Sequence, residues 1–508
     1  DVRQLLVTEL RTEETAEGRR VTGIRCETGE QLTARAVILA TGTYLRGRII
    51  LGETIYDGGP NGQRPAMAFS DSLRAAGIRL MRFKTGTPAR VDRRTLDLAE
   101  TALQAGDPDA PAFSFLTDAM PDAQTPCYLT YTNEATHAVI RANLHRAPMA
   151  NGVIEGIGPR YCPSIETKIA RFPDKERHQL FLEPEGLHTN EIYVQGMSTS
   201  LPTDVQEEFL RTIPGLQHAR MMRPGYAIEY DCLDPLQLEA SLAVKEIAGL
   251  YSAGQANGTS GYEEAAAQGL LAGINAARAC MGEEPLILRR SDGYIGVLID
   301  DLVTKGTEEP YRMMTSRAEY RLVLRQDNAD LRLTPIGRRI GLVSDARWTR
   351  FTAKRDAIEM ALAQLRETRL SPSAATEERL AAAGIPPLRT PMTLFALLAR
   401  EGDYRALAAV FDLPPLADDV REEVEIMARY DGYIRKQEEQ IARMERLEAR
   451  RIPADTDYAA IGSLRLEAAE KLAAVRPRSI GQASRISGVS PADISVLLVY
   501  LERARRTS

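Results

Sequence analysis

Two runs of apolar residues predict neighbouring strands of one sheet. Residues 35–43 have the pattern of a buried strand that closes on a glycine turn. Residues 249–255 repeat this pattern, pass through a glycine-rich loop at 254–261 and enter an alanine-rich stretch at 262–273. The second segment therefore predicts a strand, a glycine loop and a helix in succession.

The loop from Gly254 to Gly261 is the candidate cofactor site. Glycines let the backbone approach a ligand closely, and the N-terminus of the next helix presents N–H groups to an anion. Gln255 ends the strand, where its side chain can hydrogen-bond a ribityl or ribose hydroxyl. Tight strand–helix packing would explain the same glycines, but the turn at Gly42 would lie at the adjacent sheet edge of one nucleotide-binding domain. We therefore expect cofactor contacts at Gly42, Gly254, Gln255, Gly258 and Gly261.

The rest of the chain changes pattern twice. About two hundred residues between the two strands are rich in Gly, Pro and Thr, with alternating stretches such as 191–194, and they predict an inserted mixed or antiparallel domain. After about residue 285, the stretches 345–370 and 417–451 have helical periodicity. The sequence thus predicts an α/β protein with a helical C-terminal region. Its expected segments are 1–50 and 246–284 (nucleotide-binding domain), 51–245 (inserted domain), 285–424 (helical linker region) and 425–508 (C-terminal helical domain).

Composition narrows the class of protein. The 508 residues are 44% hydrophobic and 26% charged, which is typical of a multidomain globular chain. We find no apolar run long enough to cross a membrane and no histidine spacing typical of a metal site. Five cysteines without a CxxC pair argue against a disulfide scaffold or zinc site and favour a reducing cytoplasm. The first residues do not form a signal peptide; they resemble a strand already under way, so we expect an upstream segment.

Cys162 is the candidate nucleophile. It lies in a loop ordered by Gly158 and Pro163, where the nearby Arg160 can favour the thiolate form. A buried, unreactive cysteine is the alternative for any single position, and we assign the other four cysteines to that class.

Two basic segments are candidate RNA contacts, because a net charge of −6 leaves RNA binding to local patches. The first contains Lys84, Arg90 and Arg94 and suits phosphate binding, or equally a solvated turn. The second, residues 310–321, interleaves arginine with tyrosine and suits stacking on unpaired bases, or an ion-paired helix. Its candidate RNA contacts are Arg312, Arg317 and Arg321.

Several long segments resemble the MnmG family, also called GidA, from the first residues to about Leu501. The most specific are KTGTPAR, CYLTYTNEATH, GVIEGIGPRYCPSIETKIARF, FLEPEGLHTNEIYVQGMSTSLP, RPGYAIEYD, AGQANGTSGYEEAAAQGLLAGINAA and DDLVTKGTEEPYRMMTSRAEYRL. The resemblance implies an FAD-dependent enzyme with a glutathione-reductase-like FAD domain. It implies a homodimer that works with a partner GTPase of the MnmE family on carbon 5 of the wobble uridine in tRNA. The added carbon would come from methylene-tetrahydrofolate, the amine from glycine or ammonium, and the reducing equivalents from NADH.

The resemblance also implies roles for individual residues. Val7 would contact FAD through its backbone, and Cys162 matches a cysteine that the family uses in catalysis. The family's glycine fingerprint and a second catalytic cysteine precede Asp1, so we expect both in an upstream segment. The nicotinamide-proximal stretch would run from Gly158 to Phe172 and include Pro159, Arg160, Tyr161 and Ser164.

A cysteine thiolate could activate the uracil ring for substitution at carbon 5. Carbon 5 is a weak nucleophile, and addition of a thiolate at carbon 6 makes an enolate that can attack a one-carbon donor. Arg160 or a loop N–H could stabilise that enolate. Two other functions stay open: a folate- and FAD-dependent tRNA uracil methyltransferase, which lacks the long helical C-terminal region, and a non-catalytic RNA-binding relative.

Overall fold

The computed structural model describes residues 1–108, 110, 112–120, 124–148, 152–161 and 163–507, and it describes residues 504–507 by their backbone alone. The chain divides into two compact units. Unit 1 consists of Asp1–Ala112, Ala119–Ile287 and Leu298–Met313, and unit 2 consists of Phe113–Asp118, Leu288–Val297 and Met314–Ser508.

Unit 1 contains most of the strands. They are β1 (Val7–Thr15), β2 (Gly18–Cys26), β3 (Gln31–Thr33), β4 (Val37–Leu39), β5 (Arg48–Leu51), β6 (Thr54–Asp57), β7 (Leu80–Thr87), β8 (Arg90–Asp92), β9 (Ala102–Gln104), β10 (Cys127–Tyr131), β11 (Gln179–Pro184), β12 (Glu191–Gln195), β13 (Met221–Arg223), β14 (Tyr226–Leu233), β15 (Ile247–Ala248) and β16 (Leu250–Ser252). Unit 2 adds the short strands β17 (Arg369–Leu370) and β18 (Met392–Thr393).

The helices are shared between the units. Those of unit 1 are α1 (Met67–Ala75), α2 (Glu134–Ala142), α3 (Ile165–Arg171), α4 (Thr203–Leu210) and α5 (Tyr262–Met281). Helix α6 (Tyr294–Lys305) begins in unit 2 and ends in unit 1. Those of unit 2 are α7 (Ala329–Arg339), α8 (Asp345–Glu367), α9 (Ala374–Ala382), α10 (Leu394–Glu401), α11 (Tyr404–Phe411), α12 (Asp418–Glu448), α13 (Leu466–Val475), α14 (Ile480–Ala483) and α15 (Pro491–Thr507).

The two apolar runs of the sequence form neighbouring strands. β4 and β16 pair in parallel, with Leu39 opposite Ser252, so both strands end at the same edge. The loop after β16 leads into α5, which packs back against these two strands. The predicted strand, glycine loop and helix are confirmed.

Residues between β4 and β16 in sequence form a four-stranded antiparallel sheet, β6-β5-β14-β7. Alternate residues of β14 point to opposite faces of this sheet. Tyr230 and Cys232 pack with Phe83 of β7 on one face. Glu229 and Asp231 project from the other face, and both are buried. The sheet is therefore covered by apolar side chains on one side and by a charged network on the other.

The inserted region also forms a six-stranded antiparallel sheet, β13-β8-β12-β11-β10-β9. Helices α2, α3 and α4 pack against it through buried apolar residues that include Ile140, Ile169 and Phe209. The predicted alternation at 191–194 forms β12. The antiparallel pairing agrees with the mixed or antiparallel character expected of this region, whereas its being a separate inserted domain stays a prediction.

Unit 2 is helical, as its periodicity predicts. The stretches predicted at 345–370 and 417–451 form α8 and α12, and a core that includes Leu365, Leu397 and Val424 joins them to their neighbours. The α/β class with a helical C-terminal region is confirmed, whereas the five segment boundaries stay predictions. Within the described part of the chain, no helix has both the length and the apolar character needed to cross a membrane.

Candidate functional site

A cavity of about 880 Å³ opens at the ends of β1 and β4. Val7 lines it, together with Ile38, Thr41 and Tyr44. Although the sequence predicts β4 as a fully buried strand, Ile38 is 39% exposed because its side chain faces this cavity. The apolar strand face is therefore available to a planar or aliphatic ligand group.

Gly42 and Gln255 come together at the edge of the β4–β16 pair. A Cβ atom at position 42 would lie 4.0 Å from Oε1 of Gln255, and the backbone there has a positive φ of 52°. The parallel pairing of β4 with β16 produces this proximity. The structure thus brings together two of the candidate cofactor residues from segments far apart in sequence.

The glycine loop is held in place by buried hydrogen bonds. Nδ2 of Asn257 donates to the carbonyl of Ser252 and to Oε1 of Gln268, at 2.9 and 2.8 Å. Oγ1 of Thr259 donates to the carbonyl of Gly254 at 3.0 Å. Asn257 thus ties the loop to the end of β16 and to α5, and Thr259 closes the loop on its own first residue.

The start of α5 differs from a phosphate site. Glu263 and Glu264 occupy its first turn, and the buried Glu264 accepts a hydrogen bond from the N–H of Met313 at 2.7 Å. Two carboxylates at this helix end disfavour a phosphate. The N-cap residue Gly261 makes no side-chain cap, so the first-turn N–H groups suit neutral carbonyl oxygens of a ligand better than the anion predicted from sequence.

Phe83 packs against the glycine loop from the four-stranded sheet. A Cβ atom at Gly258, where φ is 74°, would lie 2.9 Å from Cε2 of Phe83. Tyr230, in the same apolar cluster, contacts the side chain of Gln255, and burial raises the pKa of Tyr230 well above its ordinary value. The glycine loop therefore packs on the apolar face of the four-stranded sheet.

Residues 155–158 lie against the same sheet. Ile157 forms a parallel bridge with Phe83, and its carbonyl accepts the N–H of Lys84 at 3.0 Å. Oε1 of Glu229 accepts the N–H groups of Glu155 and Gly156, each at 2.6 Å. The segment that precedes Arg160 in sequence is therefore fixed by backbone pairing on one side and by a buried carboxylate on the other.

The stretch expected near the nicotinamide forms a loop followed by α3. Ser164 is the N-cap residue of α3 and is buried, whereas Phe172 at its C-terminus is 53% exposed. Arg160 is exposed and Tyr161 is 54% exposed. Gly158 and Pro159 belong to the loop and are partly buried, and Cys162 lies outside the described residues.

Three of the other four cysteines have environments that disfavour a thiolate. Burial raises the pKa of Cys232 far above its ordinary value, and it also raises the pKa of Cys26 and Cys127. Cys280 is partly exposed in α5. Buried Cys26 and Cys232 match the assignment made from sequence.

The first basic segment is not the exposed loop that its glycine and proline suggest. Lys84 is 6% exposed and lies within β7, because the β7–β14 pairing continues to Thr87. Arg90 belongs to β8, where it pairs with Glu185 at 2.7 Å. Arg94 is exposed and pairs with Asp92. The expectation of one exposed patch is wrong for Lys84, and RNA contact by Arg90 and Arg94 stays a prediction.

The second basic segment is divided between the units. Tyr311 and Tyr320 are 4% and 7% exposed, so neither offers a free ring face for stacking on a base, contrary to expectation. Arg312 belongs to unit 1 and lies 3.7 Å from the carboxylate of Glu264. In unit 2, Arg317 is partly exposed and Arg321 is exposed, and RNA contact by the three arginines stays a prediction.

The sequence analysis missed the residues that connect these segments: Phe83, Glu229 and Tyr230. The signal for Glu229 and Tyr230 is the alternation in Tyr226–Leu233, where acidic residues alternate with apolar and aromatic ones. Such alternation usually indicates a strand with one solvated face, so it does not reveal that both faces are buried.

Family models match most of the chain. "Glucose inhibited division protein A" matches residues 1–284. "tRNA modifying enzyme MnmG/GidA C-terminal helical domain" matches residues 345–438, and the corresponding "C-terminal helical bundle" matches residues 440–508.

Similar proteins cover nearly the whole chain. The tRNA uridine 5-carboxymethylaminomethyl modification enzyme MnmG of Caldicellulosiruptor saccharolyticus is 57% identical over 510 residues, which cover 100% of this chain and 81% of the relative. The enzyme of the same name from Heliobacterium modesticaldum is 56% identical over 517 residues, with coverages of 100% and 80%.

Two solved structures are similar to this chain over nearly its whole length. The structure of Aquifex aeolicus GidA in its form II crystal has a TM-score of 0.88 at 43% identity, and the match covers 98% of this chain and 79% of the other. The form I crystal gives a TM-score of 0.87 at 44% identity, with coverages of 98% and 80%. The chain therefore belongs to the MnmG/GidA family of tRNA-modifying enzymes.

Proposed function

We propose that this chain is an FAD-dependent tRNA uridine 5-carboxymethylaminomethyl modification enzyme. In this proposal it works in the cytoplasm as a homodimer with an MnmE-family GTPase, and it installs a carboxymethylaminomethyl or aminomethyl group at carbon 5 of the wobble uridine. Methylene-tetrahydrofolate supplies the carbon and NADH the reducing equivalents. The names and high identity of the relatives support the reaction class.

The contact of Phe83 with both candidate segments carries the proposal. Its ring packs on Gly258 of the glycine loop, and its backbone pairs with Ile157, five residues before Cys162 in sequence. A redox cofactor at the glycine loop and a nucleophile that follows segment 155–158 would therefore both lie close to Phe83. Such proximity is what a reaction joining redox chemistry to thiol addition requires.

The residues present fit a flavin cofactor. The cavity lined by Val7 and Ile38 offers an apolar face, Gln255 offers an amide beside Gly42, and the start of α5 offers uncapped N–H groups. When bound, FAD would supply the redox step of the reaction. The amide of Gln255 would hold a hydroxyl or carbonyl of the cofactor, and Tyr161 and Phe172 expose aromatic rings suited to a nicotinamide or uracil ring.

The proposed role of Cys162 is to activate the uracil ring. Its thiolate would form a bond to carbon 6, and the electron pair of the C5–C6 double bond would move toward the O4 carbonyl to give an enolate. Carbon 5 would then form a bond to the methylene carbon of the one-carbon donor, and the electron pair of the donor's carbon–nitrogen π bond would move to its nitrogen. Loss of the proton at carbon 5 and elimination of the thiolate would restore the double bond. Arg160, which is exposed, would stabilise the enolate oxygen.

The test of this role is Cys162→Ser in the full-length protein, with Cys280→Ser as its control. A serine hydroxyl is rarely ionised near neutral pH, so Cys162→Ser should abolish tRNA modification while flavin content and melting temperature stay unchanged. Cys280→Ser should modify tRNA like the wild type. Turnover by Cys162→Ser within twofold of the wild type would end the proposal for this thiol.

The product separates the proposal from its two alternatives. Nucleoside analysis of modified tRNA should find an aminomethyl or carboxymethylaminomethyl group, whereas a plain methyl group would indicate the uracil methyltransferase. Protein that holds no flavin and modifies no tRNA in the presence of its GTPase partner would indicate a non-catalytic RNA-binding relative.

The C-terminal helices are the proposed docking site for the GTPase. Leu497 and Leu501 of α15 are buried within unit 2, so docking would use other, exposed side chains of this region. The predicted C-terminal helical domain begins at residue 425, which lies inside α12. The test is therefore a deletion of residues 451–508, which leaves α12 complete. The shortened protein should keep its flavin and fail to capture the GTPase, and retained capture would place the docking site elsewhere.

A further inference from the structure

We propose that Tyr230 is a positioning residue for Gln255: its hydroxyl donates to Oε1 of the amide and leaves the amide nitrogen, Nε2, for the cofactor. The inference rests on the proposed function, because it assumes that a flavin lies at the glycine loop. Tyr230 belongs to β14, outside the segments in which the sequence predicts cofactor contacts.

The first support is the hydroxyl of Tyr230 itself. The side chain is 0% exposed and packs with Phe83 and Cys232. Within the part of the chain that the structure describes, the Oη atom of Tyr230 has no hydrogen-bond partner. A phenylalanine would fill the same apolar space, and a buried hydroxyl without a partner destabilises a folded protein. Packing alone therefore does not account for a tyrosine at this position.

The second support is the neighbour of this hydroxyl. Burial raises the pKa of Tyr230 well above its ordinary value, and the side chain of Gln255, which lies beside the hydroxyl, opposes this shift. The hydroxyl therefore keeps its proton in neutral solution and can act as a donor. The terminal torsion of a glutamine side chain is broad, so the amide can turn to bring Oε1 onto this donor.

The third support is the opposite side of the Gln255 side chain. A Cβ atom at Gly42, at the edge of the β4–β16 pair, would lie 4.0 Å from Oε1 of Gln255. The amide thus lies between the candidate cofactor edge and the tyrosine. An amide has an acceptor at one end and a donor at the other, and rotation exchanges the two ends. A donor on the side of Tyr230 selects the orientation in which Nε2 meets a carbonyl or hydroxyl oxygen of the cofactor.

Tyr251 provides a matched control. It lies on β16, four residues before Gln255, and is 5% exposed. Its hydroxyl donates to the carbonyl of Asn275 on α5 at 3.3 Å. Loss of this hydroxyl removes a hydrogen bond that joins a strand to a helix, so Tyr251→Phe reports what a purely structural hydroxyl contributes.

The experiment compares the wild-type full-length protein with Tyr230→Phe, Gln255→Ala, the double variant of these two, and Tyr251→Phe. Flavin fluorescence during titration of each flavin-free protein with FAD gives Kd. Tyr230→Phe should raise Kd about fivefold, a typical effect of one hydrogen bond. The double variant should bind FAD as Gln255→Ala does, because the hydroxyl acts through the amide. Tyr251→Phe should bind FAD with the wild-type Kd.

Thermal unfolding of the flavin-free proteins separates a positioning role from a structural one. Tyr230→Phe should melt at or above the wild-type temperature, since it loses an unpartnered hydroxyl, whereas Tyr251→Phe should melt below it. A wild-type Kd in Tyr230→Phe would overturn the inference. A double variant that binds FAD about fivefold more weakly than Gln255→Ala would do the same, because the two effects would then be independent. Flavin-free Tyr230→Phe that melts earlier or fails to fold would assign the hydroxyl to the fold and also overturn the inference.

The wild-type titration separates this inference from the proposed function. A wild-type protein that binds no FAD would reject the flavin enzyme and the inference with it. A wild-type protein that binds FAD, together with weakened binding in Gln255→Ala and wild-type binding in Tyr230→Phe, would reject the positioning role alone.

Discussion

Glu229 in unit 1 and Glu423 in unit 2 are both buried glutamates, but they bind different groups. Glu229 accepts backbone N–H groups from a loop segment. Glu423, on α12, accepts a hydrogen bond from Arg325 at 2.7 Å, and Arg325 also binds Asp327 at 2.9 Å. A carboxylate that orients loop backbone can act on a site, whereas one that shares an arginine between a helix and a turn mainly maintains a fold.

The largest expected effect is on stability, and it tests whether Glu423 mainly maintains the fold of unit 2. Glu423→Ala leaves Arg325 with one carboxyl partner fewer and opens space in a buried network, so near pH 5 it should lower the free energy of unfolding by about 3 kcal/mol. The measurement is denaturant-induced unfolding of the flavin-loaded enzyme. kcat should stay at the wild-type value, and Glu438→Ala, an exposed position on the same helix, should change neither quantity. A fall in kcat without a fall in stability would remove the distinction between the two glutamates.

The pH dependence of stability sharpens the same comparison. Burial, reinforced by the neighbouring Asp327 carboxylate, raises the pKa of Glu423 to about 8. A folded-state pKa above the unfolded value means that the folded protein binds the extra proton, so this contribution to stability is lost as pH rises from about 4.5 to about 8. The lost stability is at most about 1.4 kcal/mol per pH unit.

Glu423→Gln is the variant that isolates this contribution. It cannot titrate, so unfolding measured at several pH values should show a smaller decline between pH 5 and 8 than in the wild type. Asp327 does not produce this signal, because its pKa is lowered and its contribution is lost only as the solution becomes strongly acidic. Parallel stability curves for the two proteins would contradict the proposed titration of Glu423.

Sequence analysis finds the features that depend on local periodicity. The strand before Gly42, the strand and loop around Gln255, and the helices of unit 2 follow from short-range patterns of apolar residues and glycine. The family resemblance adds the expected role of Val7, and it favours a catalytic Cys162 where the local context alone leaves an unreactive cysteine open.

Sequence analysis misses the features that depend on long-range pairing. Glu229 is buried because Arg48, Arg82 and segment 155–158 come from distant parts of the chain to surround it. The sequence predicts an exposed Lys84 because Gly86 and Pro88 are typical of a turn, whereas pairing with β14 extends the strand to Thr87. Short-range patterns cannot distinguish a polar strand face that meets solvent from one that meets another charged segment.

Replacement of Gln255, a polar side chain of unit 1 that faces the proposed cofactor site, should have a smaller effect than replacement of Glu423. The effect should be on flavin binding instead of on folding. Gln255→Ala removes the amide beside Gly42 and should weaken flavin binding about tenfold, which corresponds to about 1.4 kcal/mol. The measurement is flavin fluorescence during titration of the apoprotein. Gln440→Ala, an exposed position on α12, should bind flavin like the wild type. Equal affinities in the two variants would exclude Gln255 from the cofactor site.

The smallest expected effect concerns a helix cap in unit 2. α15 begins at Pro491, and Ser490 caps it: Oγ of Ser490 accepts the N–H of Asp493 at 3.3 Å, while Asp493 accepts the N–H of Ser490 at 2.8 Å. Ser490→Ala leaves the second bond but removes the first, together with the bond that the Ser490 hydroxyl donates to Oδ2 of Asp493 at 2.6 Å. It should therefore lower the free energy of unfolding by about 1 kcal/mol. Ser495→Ala, an exposed position in the middle of the same helix, is the matched control and should be neutral or slightly stabilising, since alanine has the higher helix propensity. Both variants should retain wild-type flavin binding and kcat, because a cap in unit 2 contributes to folding alone. Loss of activity in Ser490→Ala at unchanged stability would show that this helix end contributes to function beyond the fold.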